Sequence, residues 1–299
     1  MGLTADLTAL MMQATARFTV QHGAALQYAG QDLPKPVSHR VRTRHGRVKV
    51  DLYLPPAPAS GAVPAYVHLH GGGFIMRYPR MDDFFCRFVV ATVGVAVVNV
   101  DYDVAPQARY PVAQEQAHDV FVWLTEHGSD WGIDGGNLAI GGFSAGGNLA
   151  ASACLQIRDR GGIAPRLQLL GVPSLDVAGD AAAKTSTTAH PMVGPGLLRL
   201  VRATYFKDVG RRSEPYASPL LASDLTGVAP AVVVTAEHDS LRAEGDAYAA
   251  ALDRAGLLTE HIVVPGRDHY FLDPDAPAQA RDLMRRMADR LREALRPVG

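Results

Sequence analysis

Charge of one sign in excess is what this chain most clearly lacks: Lys+Arg number 29 against Asp+Glu 30, a formal net charge of −1 over 299 residues. No global field therefore draws it to nucleic acid or to anionic membranes, and a small neutral substrate fits better. Cysteine is nearly absent. Cys86 and Cys154 are the only two, both in apolar segments that read as helices, which excludes a disulfide framework and implies buried thiols in a reducing compartment. Long apolar runs are missing too. No stretch approaches the length needed to cross a bilayer, so no stable membrane insertion is expected; the start of the chain shows no basic segment followed by a continuous apolar run, and a cytoplasmic location is expected. Internal repeats are not evident, nor is low complexity beyond an Ala-rich patch at 181–183. What remains, 47% hydrophobic and 20% charged, is an ordinary globular composition with room for one sizeable core and an accessory layer.

Apolar positions in residues 2–30 (Leu3, Leu7, Leu10, Met11, Ala14, Phe18, Ala25) recur at three- and four-residue spacing and predict one or two amphipathic helices. Basic residues are too sparse there for a helix lying on a membrane surface. Residues 41–54 alternate across His45-Gly46 and predict a β-hairpin, and the Pro-rich stretch 55–64 reads as a surface connection. Strand and helix then alternate: strands at 65–69, 95–100, 137–140, 167–170, 231–235 and 260–264; helices at 82–92, 112–126, 147–157, 244–255 and 277–295. Such alternation predicts one α/β domain over 1–299, a mostly parallel sheet covered by helices on both faces. The interval 177–216 breaks the rhythm with one helical stretch, 196–205. Together with residues 1–38 it is expected to form a helical cap over the carboxyl ends of the strands, where such sheets place their sites.

Gly142-Phe143-Ser144-Ala145-Gly146 lies between a strand and a helix of small residues, the context in which G-x-S-x-G marks a nucleophile elbow. Serine needs a base within hydrogen-bond reach and a carboxylate to hold that base in the right tautomer. Asp239 and His269 each follow a predicted strand, in the order such sheets supply them. Glu237 is the rival carboxylate and His238 and His261 the rival bases, while Asp268 beside His269 could either raise its pKa or merely point into solvent. Upstream, His70-Gly71-Gly72-Gly73-Phe74 follows the 65–69 strand. The amides of Gly71, Gly72 and Gly73, with that of Ala145, are candidates for an oxyanion hole. His68 and His70 share a strand face, but a third ligand at metal spacing is lacking, so neither metal nor cofactor is expected.

These residues together resemble the hormone-sensitive-lipase-like branch of the α/β-hydrolase esterases. The resemblance is carried by residues 70–74, Asp101-Tyr102 with Ala105-Pro106, residues 142–147, Ser218-Pro219-Leu220 and residues 236–245, in that family's order, over roughly 40–295. It implies a carboxylic ester hydrolase with Ser144, Asp239 and His269 as triad and a helical cap, acting on short to medium acyl esters. An amidase or arylformamidase would use the same machinery, and a noncatalytic receptor would use the same fold. Asp103, Gln107, Phe143 and Tyr270 depart from the family's usual residues. The first two are expected to remove opposite charges together, and Phe143, Tyr270 and Phe74 are expected to line the substrate site. Homodimerisation through 260–264 as a sheet edge is a further expectation.

Overall fold

The apolar runs of the chain pair into one sheet, seen in a computed structural model that describes residues 2–20, 22–56 and 61–296. Its eight strands are β1 (Val37–Thr43), β2 (Gly46–Tyr53), β3 (Val63–Leu69), β4 (Ala96–Asp101), β5 (Ile133–Phe143), β6 (Gln168–Gly171), β7 (Ala231–Ala236) and β8 (Leu258–Val264), in the order β1-β2-β4-β3-β5-β6-β7-β8. β1, β2 and β4 meet antiparallel, and every other pairing is parallel. The hairpin closes one residue earlier than its sequence implies. Thr43 pairs with Gly46, so Arg44 and His45 form the turn and Gly46, at φ 101°, opens β2.

Parallel strands buried on both faces must carry apolar residues in both phases of the pleat. Along β7, Ala231 and Val233 enter one core, Val232 and Val234 the other. The first core packs under α3 (Val112–His127), α4 (Ala145–Asp159) and α6 (Arg242–Arg254), the second under α2 (Asp83–Val93) and α7 (Pro277–Ala294). β5 runs well beyond the expected 137–140, because glycines within it hide the period. A Cβ on Gly141 would come within 2.4 Å of the Leu169 carbonyl and 2.6 Å of the Tyr66 hydroxyl, so glycine here marks close packing rather than a break.

Two helices lie outside the sandwich: α1 (Gly2–Thr19) and α5 (Pro195–Thr204), which pack on one another. Residues 22–26 add a short 3-10 turn. α1 does not bury the face its sequence implies: Leu3, Leu7, Leu10, Met11 and Phe18 stay exposed, while Ala9 and Ala16 are buried. Small residues permit a closer approach, and the helix is further tied down by polar bonds, Gln13 to the Ala105 carbonyl and Asp6 to Arg109. Of the 55–64 connection, residues 57–60 fall outside the described residues.

Candidate active site

β3 and β5 are adjacent parallel strands whose onward connections leave in opposite directions, β3 toward β4 and β5 toward β6, so a crevice opens at their carboxyl ends. Leu69 pairs with Gly142 there, which brings the Gly71–Gly73 loop against Ser144. A Cβ placed on Gly71 would stand only 3.8 Å from that of Ser144. Ser144 itself sits at φ 56°, ψ −113°, outside the regions that side chains prefer, and α4 starts at the next residue. The flanking glycines are required by contact. A Cβ on Gly142 would approach the Leu69 carbonyl oxygen to 2.1 Å, and one on Gly146 to 1.8 Å. The strained turn is fastened by Ser144 N–H donating to the Gly171 carbonyl at 2.8 Å and by the Ser144 carbonyl accepting from Asn148 and Ser174.

The loops after β7 and β8 complete the arrangement. His269 Nε2 lies 2.8 Å from Ser144 Oγ and its Nδ1 lies 2.7 Å from Asp239 Oδ2. With Nδ1–H donating to the carboxylate, Nε2 is left to accept the serine proton. Asp239 is buried and held from behind, its Oδ1 accepting from Leu241 N–H at 3.0 Å. Burial alone would lower the His269 pKa, but the Asp239 carboxylate bonded to it, helped by Asp268 and Glu244, carries it above the ordinary histidine value.

Across the crevice from Ser144, the amides of Gly71, Gly72 (φ 104°) and Gly73 (φ 61°) are free of acceptors among the described residues, and Gly71 stands nearest the serine. Ala145 is the first residue of α4, so its amide has no partner within the helix. These are the donors that an oxyanion needs. His70 braces the loop, its Nδ1–H donating to the Gly71 carbonyl at 2.7 Å while its ring stacks on Tyr102 at 4.3 Å. Burial lowers its pKa and keeps it neutral.

The other candidates go elsewhere. Glu237 accepts from the Gly266 amide, His238 meets Thr187 and His261 meets Asp246 and Thr235. His68 and His70 do not converge: His68 turns to Asp82 and packs on Phe85 and Phe143, whereas His70 lies past the end of β3 against Tyr102. No group of metal-binding residues occurs among the described residues. Asp103 pairs with Arg77 and bonds Gln116, and Gln107 bonds Gln13 of α1.

Above Ser144 lies a cavity of about 470 Å³ whose walls are mostly apolar. α1 supplies Met12, Thr15 and Thr19, and α5 with its approach supplies Val193, Leu198 and Val201. Phe143 and Tyr270 line it, as does Phe74, whose ring is largely committed to a stack on Tyr205 at 4.9 Å. Phe143 meets Phe85 and Phe271 edge-on or tilted. Asp82 on the same wall was invisible to sequence reasoning, where it reads only as the first residue of a helix.

Comparison with known proteins agrees with this architecture. The family described as alpha/beta hydrolase fold matches residues 66–273. The chain is similar to carboxylic ester hydrolase LipN of Mycobacterium tuberculosis, 36% identical over 240 residues that make up 76% of this chain and 62% of that protein. It is also similar to the ethyl acetate hydrolase of Pseudomonas putida, 34% identical over 86% of this chain and 82% of that protein. Among solved structures, an esterase of Pyrobaculum calidifontis superposes with a TM-score of 0.87 at 28% identity, covering 97% of this chain and 94% of that one.

Proposed function

This chain belongs to the α/β-hydrolase family, to its hormone-sensitive-lipase-like esterases, and we propose that it is a serine carboxylic ester hydrolase in which Ser144, His269 and Asp239 are the catalytic triad. The observation that carries the reading is the continuous relay of 2.8 Å and 2.7 Å bonds from Ser144 through His269 to Asp239. Ser144 Oγ attacks the ester carbonyl as His269 takes its proton. The amides of the Gly71–Gly73 turn, with that of Ala145, hold the oxyanion. Collapse breaks the C–O bond, His269 gives the proton to the departing alcohol, and a water activated by His269 releases the acid and restores Ser144.

Residues 1–38 and 177–216 act as the cap, a role supported by the cavity wall that α1 and the 192–201 stretch share. A mostly apolar space of this size favours short to medium acyl esters. Two buried free thiols support a reducing, cytoplasmic setting, and no helix among the described residues is long and apolar enough to cross a membrane. Pairing of two copies along β8 belongs to the same proposal. The test is Ser144→Ala, which should lower kcat on p-nitrophenyl butyrate by roughly 10⁶, to near background, with melting behaviour and circular dichroism unchanged. Sustained turnover by a clean preparation of the variant would reject the triad.

A further inference from the structure

Asp82 is the only acid among the described residues that line the cavity, and it is itself 4% exposed. It occupies the N-cap position of α2, where an aspartate ordinarily accepts from the first helix amides, yet its side chain caps nothing. Its Oδ2 instead accepts from His68 Nε2 at 3.0 Å, and His68 Nδ1 lies 3.3 Å from the Tyr66 hydroxyl. The ring of His68 is thus held between the Tyr66 hydroxyl on one side and the Asp82 carboxylate on the other. The neighbouring Asp83 takes the available cation, Arg87, at 2.8 Å. A carboxylate accommodates about four donors, and the His68 bond supplies one. Set in an apolar wall, such a group gains from a donor that reaches it, and a purely alkyl substrate brings none. Asp82 shares the cavity lining with Ser144 and with Tyr270, the residue after His269, and Met81 beside it abuts the Gly71 loop.

We propose that Asp82, held by His68, is a specificity-determining residue that selects esters bearing a hydrogen-bond donor, hydroxyl or ammonium, on the substrate arm lying beside Met81 and Tyr270. This rests on the esterase reading above and narrows its substrate class. Two matched series test it in the wild type: p-nitrophenyl butyrate against its 3-hydroxybutyrate and 4-(dimethylammonio)butyrate analogues, and butyl acetate against its 4-hydroxybutyl and 4-(dimethylammonio)butyl analogues. At least one donor-bearing analogue should exceed its alkyl parent in kcat/KM by at least about tenfold, and the monosuccinate analogue should fall below the parent. A larger gain in the ammonium arm identifies charge pairing, and one confined to the hydroxyl arm identifies a neutral donor. Asp82→Leu should bring the donor-to-alkyl ratio close to one. Alkyl parents equal to or better than every analogue in the wild type would overturn the proposal, and so would an unchanged ratio in folded Asp82→Leu. Should that variant fail to fold, the wild-type series decides alone. If no ester is turned over, the esterase reading has failed separately, and Asp82 is judged by thermal shift: 4-(dimethylamino)butan-1-ol should raise the Tm of the wild type more than butan-1-ol does, and equal shifts would overturn it.

Discussion

Protonation of His269 removes the base, so the activity of the proposed esterase should follow the charges around that ring. Asp239, Asp268 and Glu244 together outweigh burial and raise the His269 pKa above its ordinary value. The sign is fixed: a raised pKa keeps the imidazole cationic over more of the acid range, so kcat/KM falls as pH drops through that raised value. Asp268 is the contributor that can be altered without breaking the relay, since its Oδ2 accepts from the Met192 amide at 2.8 Å and an asparagine oxygen can do the same. Asp268→Asn should therefore shift the acid limb of the pH–rate profile to lower pH and leave the alkaline plateau nearly in place. A limb that stays put, or moves upward, would count against a direct charge effect. At this scale the sequence was highly legible for Ser144, Asp239 and His269, because each lies one turn past a strand and chain order limits the partners. It was silent about Asp82. An Asp-Asp pair at a helix start looks like capping, and only the packed structure shows His68, fourteen residues earlier, drawing that side chain away from the helix.

Helices and strands set how the 177–216 segment is fastened to the sheet. Lys184 reaches down from that segment to Glu244 on α6 and to the Asp176 carbonyl, while Glu244 Oε1 accepts from Leu175 N–H at 2.8 Å. Burial raises the Glu244 pKa to about 7 even against the Lys184 ammonium. A carboxyl raised on folding contributes stability that is present below its unfolded pKa of about 4.5 and is lost as pH rises through about 7. Glu244→Gln keeps an acceptor for Leu175 but cannot ionise. Its Tm relative to the wild type should accordingly climb between pH 5 and pH 8, whatever offset the lost Lys184 partner imposes at a single pH. A constant or shrinking difference would show that Glu244 is already ionised in the fold across that range. Element positions were mostly readable because strand and helix periods differ and turns were marked by glycine and proline. Two failures have physical causes. β5 was cut short because its glycines serve close packing, and the buried face of α1 was misread because Ala9 and Ala16, rather than its leucines, face the protein.

The whole molecule arranges these parts by topology. Because β3 and β5 are neighbours while β4 and β6 lie outside them, loops some seventy residues apart in sequence meet over Ser144, and β7 and β8 extend the same edge to deliver Asp239 and His269. Strand order cannot be read from periodicity alone, so the meeting point was reached only through motif order and family resemblance. The same topology leaves β8 at the end of the sheet among the described residues, with its ladder to β7 satisfied on one side only. Open edges attract further strands unless blunted by charge or bulges. Glu260 is a weak guard here, because Arg286 and Arg290 of α7 fold over it, and Val263 remains 39% exposed. A near-zero net charge adds little repulsion between copies. An isologous pair joined β8 to β8, antiparallel about a two-fold axis, would continue the sheet across both chains and bury Val263. Light scattering at tens of micromolar should then give twice the chain mass, and Val263→Lys, which sets like charges near each other across the axis, should return it to the monomer with kcat on p-nitrophenyl butyrate retained, since residue 263 lies outside the cavity lining. A wild-type monomer at that concentration, or a dimer that survives the lysine, would remove β8 as the contact.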